Sequence, residues 1–208
     1  MAKSVRSRSR GRPVNETARR VRRARILTAA RGCFAAKGFH AASTADIARA
    51  ARLSVANLYQ YFASKEDLVM ALVEQDLEGD VAFVVELGRS APFARAVEGV
   101  LRAVVEERVR DEDGFRLRLE ILTESTRNAA VRRALASAEA RVILVLAGLV
   151  REAQANGEVG THESPEAIAR LLYALADGVA SGVGVAPDVV TVARLVARAL
   201  APGGAPGR

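Results

Sequence analysis

Ten of the 31 Lys and Arg residues lie in the first 25 positions (Lys3, Arg6, Arg8, Arg10, Arg12, Arg19, Arg20, Arg22, Arg23 and Arg25), against one acid, Glu16. That segment carries +9, while the other 183 residues total −2. The chemistry it offers is polyanion binding: each cation set against a phosphate releases a condensed counterion, and arginine enters narrow minor grooves favourably. Nucleic acid or an anionic membrane surface would satisfy it. Residues suited to catalysis are scarce. Cys33, His40 and His162 are the only Cys and His residues. They are too few for a structural zinc site, and a lone cysteine allows no internal disulfide, in keeping with a reducing interior. The sequence has no glycine-rich phosphate loop, nucleophile elbow or paired-histidine zinc motif, so no enzyme, cofactor or metal is expected. Cys33 reads as a small buried hydrophobe, and the two histidines as surface residues beside turns.

At 208 residues, with 50% hydrophobic and 26% charged residues, the chain can bury a core unaided. Its most apolar stretch, Val142 to Val150, is nine residues long, about half of the roughly 20 needed to span a bilayer. The Arg/Ser-rich start lacks the apolar face of a transit helix, and no secretory apolar region follows it. A soluble, cytoplasmic protein without a membrane partner is expected.

The elements that would position the basic segment are helices. Residues 1–14 show no hydrophobic period and form a flexible basic arm; Asn15 or Thr17 can cap a first helix bearing Ile26, Leu27, Ala30, Cys33 and Phe34 on one side. Gly38 suits a left-handed residue just past its end. Ser43-Thr44-Ala45-Asp46 spells a capping box that opens a second helix, 44–50. Ala51-Arg52-Leu53 is a turn, Ser54 an N-cap, and 55–61 a third helix. Two short helices about a tight turn make a helix-turn-helix. Ser64-Lys65-Glu66-Asp67 caps a long fourth helix running beyond Gly79. Further amphipathic helices are predicted near 93–110, 115–127, 129–155, 165–183 and 188–200, the last despite a β-branched run at 189–196. The fold class is all-α: a three-helix helix-turn-helix domain over 15–65 and a larger helical bundle over 66–208.

Ile26-Leu27-x-Ala29-Ala30, Phe34, Gly38-Phe39, Ser43-Thr44, Asp46-Ile47-Ala48, Leu58-Tyr59-x-Tyr61-Phe62 and Ser64-Lys65-Glu66-x-Leu68 together resemble the DNA-binding domain of TetR-family transcriptional regulators. The resemblance implies a homodimer whose two recognition helices enter successive major grooves of a palindromic operator, about 34–36 Å apart. Base-reading positions would be Ala45, Val55, Ala56, Asn57 and Gln60: the amides could pair with adenine, and the apolar residues could touch a thymine methyl. Thr44, Tyr59, Tyr61 and Lys65 carry over as phosphate contacts, with packing between helices three and four the other reading for Tyr59. Arg52 stands where the family usually has glycine, so it either holds a strained left-handed conformation or reaches a phosphate. Arg6, Arg8, Arg10 and Arg12 of the arm would meet the minor groove or the backbone, or else stay solvated.

Residues 69–208 hold 16 basic and 20 acidic side chains, and by resemblance sense a small-molecule effector and dimerise. The stretch from Arg118 to Ser125 and on to Arg132 resembles one subgroup of the family's C-terminal domains more weakly. Candidate pocket residues, each also readable as plain core, are Phe83, Phe93, Phe115, Leu119, Leu122, Thr123, Thr126 and Leu146. Ala174, Gly178 and Gly182 repeat at spacing four, and with Leu171 and Leu175 they mark one face for close helix approach. Val189, Val192, Leu195, Val196 and Leu200 of the last helix would complete a dimer interface, or else pack into intramolecular core or a fraying helix end. The function implied is a ligand-responsive repressor released from its operator by a small molecule. The alternatives are an activator, a ligand-independent regulator, or a basic-armed helical protein that binds RNA or anionic lipid.

Overall fold

The computed structural model describes residues 16–182 and 188–203. The arm with Arg6, Arg8, Arg10 and Arg12, and the cap candidate Asn15, lie outside the described residues. Among the described residues the chain is helical and without strands: α1 Glu16–Ala41, α2 Thr44–Ala50, α3 Val55–Tyr59, α4 Lys65–Ser90, α5 Phe93–Arg110, α6 Glu112–Arg127, α7 Ala129–Ala155, α8 Pro165–Ser181 and α9 Val189–Ala199. No described helix is long and apolar enough to cross a membrane.

Side-chain caps set most of the helix starts. Ser43, Ser54, Ser64, Asp111, Asn128, Ser164 and Asp188 each accept a backbone N–H of the turn that follows, satisfying donors that a helix leaves free. Asp111 moves the start of α6 ahead of the expected 115. Gln60 caps α3, which ends two residues before the expected 61, and α8 stops at Ser181 rather than 183. The β-branched run at 189–196 is helical, as its spacing predicts. Gly38 adopts a positive φ of 75° and ψ of 164° and breaks the helix there as expected, and a separate helical turn follows it across the kink.

The buried residues gather into two main clusters. The first joins Ile26, Leu27, Ala30 and Phe34 of α1 to Ile47, Leu58, Leu68 and Leu72, and also takes in Leu117 and Ile121 of α6 and Val131 of α7. The second unites α5, α7, α8 and α9 around Leu101, Val150, Ile168 and Leu172. Because α4 begins in the first cluster and runs on along α7, the helix-turn-helix and the helical body share packed surface.

Candidate nucleic-acid interface

The capping box closes as predicted. The Ser43 hydroxyl accepts the Asp46 N–H at 3.1 Å, and the Asp46 carboxylate accepts the Ser43 N–H at 3.2 Å. The Ser43 hydrogen bond, then Lys37, hold the Asp46 carboxyl down to about 2 from 3.8. A depressed folded value means stabilisation that is complete above the unfolded value and fades as pH falls through the folded one. The stability gap between wild type and Asp46→Asn should therefore persist in urea melts from neutral pH to about 4 and close towards pH 2. A gap that is constant across that range would refute this.

In the turn, Ala51 is fully buried, and the Leu53 N–H donates to the Ala48 carbonyl at 2.8 Å. Arg52 between them has φ of 54° and an exposed side chain, the only positive-φ residue other than glycine among the described residues. A left-handed conformation costs a side-chain-bearing residue roughly 1 kcal/mol that glycine avoids. Arg52→Gly should raise stability by up to about 1 kcal/mol in denaturant melts. If the variant instead keeps its stability and loses DNA affinity, Arg52 is a phosphate contact.

On α3, Leu58 is fully buried and anchors the helix, while Val55, Ala56, Asn57, Tyr59 and the capping Gln60 are exposed. The exposed set forms a surface with two amides and two small apolar groups, flanked by exposed Ala45 at the start of α2. Tyr59 does not pack between helices: it is 49% exposed, and its hydroxyl lies 3.4 Å from the Thr44 Oγ1. The two hydroxyls thus bridge α2 and α3 on the outer side. Tyr61 is half-buried against the first cluster.

Lys65 has a different setting from the one expected. Its ammonium donates to the carbonyls of Phe39, Ala42 and His40 at 2.8, 3.1 and 3.3 Å, and stands 4.6 Å from the centroid of the Phe39 ring. All three donors are used, and they neutralise the negative end of α1. A phosphate contact would require breaking these bonds.

The same end of α1 is held from the other side by α6, a feature the sequence reading missed. Glu120 accepts the Phe39 N–H at 3.1 Å, and Glu124, buried, pairs with the His40 Nε2 at 3.1 Å and with Arg127 at 2.9 Å. Burial pushes the Glu124 carboxyl up, but hydrogen bonds from Arg127 and Asn128 and the charges of Arg127 and His40 leave it below the usual range. His40 is exposed as expected, yet it has a partner. Phe34, Phe39, Val69, Leu117, Glu120, Ile121 and Glu124 line a small cleft at this junction. Cys33 is half-buried, and burial followed by the Asp46 charge pushes its thiol up, which disfavours the thiolate.

In the body, the eight pocket candidates differ in burial. Phe93 and Leu146 pack on the second cluster, Phe115 lies half-buried with the Arg108 guanidinium 5.8 Å from its ring centroid, and Leu119 and Leu122 are half-buried. Phe83, Thr123 and Thr126 are exposed. A polar pair the sequence did not announce, Arg118 with Asp177, ties α6 to α8. Near it, burial and then Asp76 push the Asp80 carboxyl up, and burial and then Asp177 do the same to the Tyr173 hydroxyl. Of the dimer candidates, Leu171, Ala174 and Gly178 are exposed, and nothing stands within 4 Å of a Cβ built on Gly178. Leu175, Val192 and Val196 pack partly on their own core, and Gly182 caps α8, its carbonyl accepting from Arg108. Leu195, which the last helix was also expected to offer to the dimer, is 60% exposed.

A capped α2, a tight turn and an α3 with one buried and one exposed side, set on an all-α body, define a helix-turn-helix regulator. Residues 26–72 match the family described as bacterial regulatory proteins, tetR family, and residues 93–201 match the BetI-type transcriptional repressor C-terminal domain. The chain belongs to the TetR family of transcriptional regulators. It is 33% identical over 163 residues to the HTH-type transcriptional regulator UidR of Escherichia coli K12, spanning 76% of this chain and 79% of that one. The structure of Salmonella enterica GusR superposes with a TM-score of 0.78 at 32% identity, covering 89% of this chain and 95% of that one. Bacillus subtilis FadR, solved with stearoyl-CoA, shares the fold at 18% identity and a TM-score of 0.71, covering 88% and 99%. These relatives are transcriptional regulators, not enzymes.

Proposed function

We propose that the chain is a ligand-responsive repressor that binds a palindromic operator as a homodimer and is released when a small molecule occupies its C-terminal body. The observation that carries this reading is the exposed side of α3, where Asn57 and Gln60 present amides beside Val55 and Ala56 while Leu58 fixes the helix from within. Such a helix fits a major groove about 12 Å wide. Thr44 and Tyr59, joined at the outer edge of α2 and α3, hold a phosphate, with Tyr61 behind them. The exposed Leu171, Ala174, Gly178 and Leu195 meet their symmetry mates in the dimer. The repressor sense is supported by the match to a BetI-type repressor C-terminal domain. A second reading, activation, has its own support: the chain is 32% identical over 104 residues to the HTH-type transcriptional activator FasR of Mycolicibacterium smegmatis, half of this chain and 48% of that one. Effector binding shifts the population towards a conformation whose half-site spacing no longer matches the DNA.

In vitro selection from random duplex DNA at about 0.15 M salt, where non-specific attraction is weakened, tests the reading. An enriched palindrome supports it, and Asn57→Ala should then relax one base position at a cost of about 1–3 kcal/mol. Binding without enrichment, matched by bulk RNA or anionic vesicles, would overturn it.

A further inference from the structure

α1 begins ten residues before its first buried side chain, Ile26. Between Glu16 and Arg25 every residue except Ala18 is exposed, so about 15 Å of helix, at 1.5 Å per residue, stands beyond the core. The protein's own packing gives no reason for this extension to be helical. It carries five arginines against one acid, and none of the five forms an ion pair with a described residue. Arg19 and Arg22, Arg20 and Arg23, and Arg22 and Arg25 are i,i+3 neighbours, and Arg19 and Arg23 are i,i+4 neighbours. Like charges at these spacings repel, and cations early in a helix oppose its dipole. A segment so arranged is unfavourable alone and favourable against a polyanion.

The extension also has a direction. Phe34, Ala30, Leu27 and Ile26 lie on the stripe of α1 that packs into the first cluster. Continued outward at three- and four-residue steps, the stripe becomes Arg23, then Arg20 and Arg19. The Arg23 guanidinium stands 5.3 Å from the centroid of the Phe62 ring, three residues beyond the end of α3. Arg23 therefore stands just past the end of the helix that presents Asn57 and Gln60, and Arg20 and Arg19 follow it outward on the same stripe of α1.

We propose that residues 16–25 of α1 form a phosphate-gripping extension of the DNA interface, in which Arg19, Arg20 and Arg23 engage the duplex backbone outside the bases that α3 reads. The inference rests on the operator-binding reading above. It differs from a role for the arm, since residues 1–15 are kept in every protein of the test.

The full-length chain and its Arg19→Gln/Arg20→Gln/Arg23→Gln variant are titrated with the duplex recovered by selection, once with about ten extra base pairs on each side and once trimmed to the specified bases. Each phosphate contact contributes about 0.9 to the slope of log affinity against log salt. With long flanks, and three contacts from each of the two protomers, doubling the salt should weaken wild type about fortyfold more than the variant. Trimming should remove that difference by affecting wild type alone. Far-UV circular dichroism and a melting curve confirm that the variant is folded, which the exposure of all three side chains makes the expected result. Equal slopes on the long duplex, or an equal response of both proteins to trimming, overturn the extension while leaving the operator reading intact. Failure of wild type to recover any specific duplex overturns both, as does stronger retention on RNA or anionic vesicles than on DNA.

Discussion

Lys65→Met should lower the unfolding free energy by about 2–4 kcal/mol, because hydrogen bonds to a charged group contribute about 1.5–3 kcal/mol each and water recovers only part of three at once. The ammonium of Lys65 gathers the carbonyls of Phe39, His40 and Ala42, which no helical N–H satisfies, and methionine keeps the apolar stem over Phe39 while removing every donor. Urea denaturation followed at 222 nm gives the change. A phosphate role would behave differently, with near-wild-type stability and a salt slope of DNA binding shallower by about 1.8, one contact from each protomer of the dimer. If the variant melts like wild type and loses slope, the carbonyl seat is not what Lys65 is for. Lys65→Arg should recover only part of the loss, since a planar guanidinium cannot aim at three oxygens converging on one point.

Leu117→Ala should cost about 2–5 kcal/mol, the range for truncating a buried leucine, and should weaken the DNA-binding half as much as the body. Leu117 is 1% exposed and lies in the same cluster as Ile26, Leu27, Phe34 and Leu68, although it belongs to α6. Two probes decide the matter, both in a Tyr173→Phe background: tyrosine fluorescence, which then comes from Tyr59 and Tyr61 alone and reports on the helix-turn-helix, and circular dichroism, dominated by the longer helices. Their transitions should move together. If tyrosine fluorescence stays at the wild-type midpoint while the helical signal shifts, the shared core does not couple the two halves.

What the sequence disclosed follows the range of the forces at work. The capping box at Ser43 and Asp46, the Ser54 and Ser64 caps and the left-handed turn at Arg52 act within four residues, so their signals are local and survive into the structure. The ends of α3 and α6 shifted because Gln60 and Asp111 compete with their neighbours for the capping role, and propensity does not rank them. The tasks of Lys65, Glu120 and Glu124 were illegible for another reason. Lys65 reaches back 26, 25 and 23 residues and Glu120 reaches back 81, and no periodicity encodes such a separation. A lysine in the first turn of a helix looks like an anion site until a second helix end is placed beside it. The pocket could not be read from the sequence because interior apolar residues on amphipathic helices share one pattern, whether they line a cavity or fill it.

Gly38 bears on how such a protein can diversify. Its φ of 75° turns the last stretch of α1 towards Lys65, and a Cβ there would come within 3.1 Å of a Glu120 carboxylate oxygen. The backbone of the operator-facing half is thereby fitted to side chains that lie far downstream. Recombination that grafts a foreign helix-turn-helix onto this body, or this one onto another, brings together surfaces that were never selected as a pair. A working chimera would have to carry the α6 positions 117, 120, 121 and 124 along with residues 26–72, so the seam for exchanging specificities runs through the middle of the C-terminal sequence rather than at the start of α4.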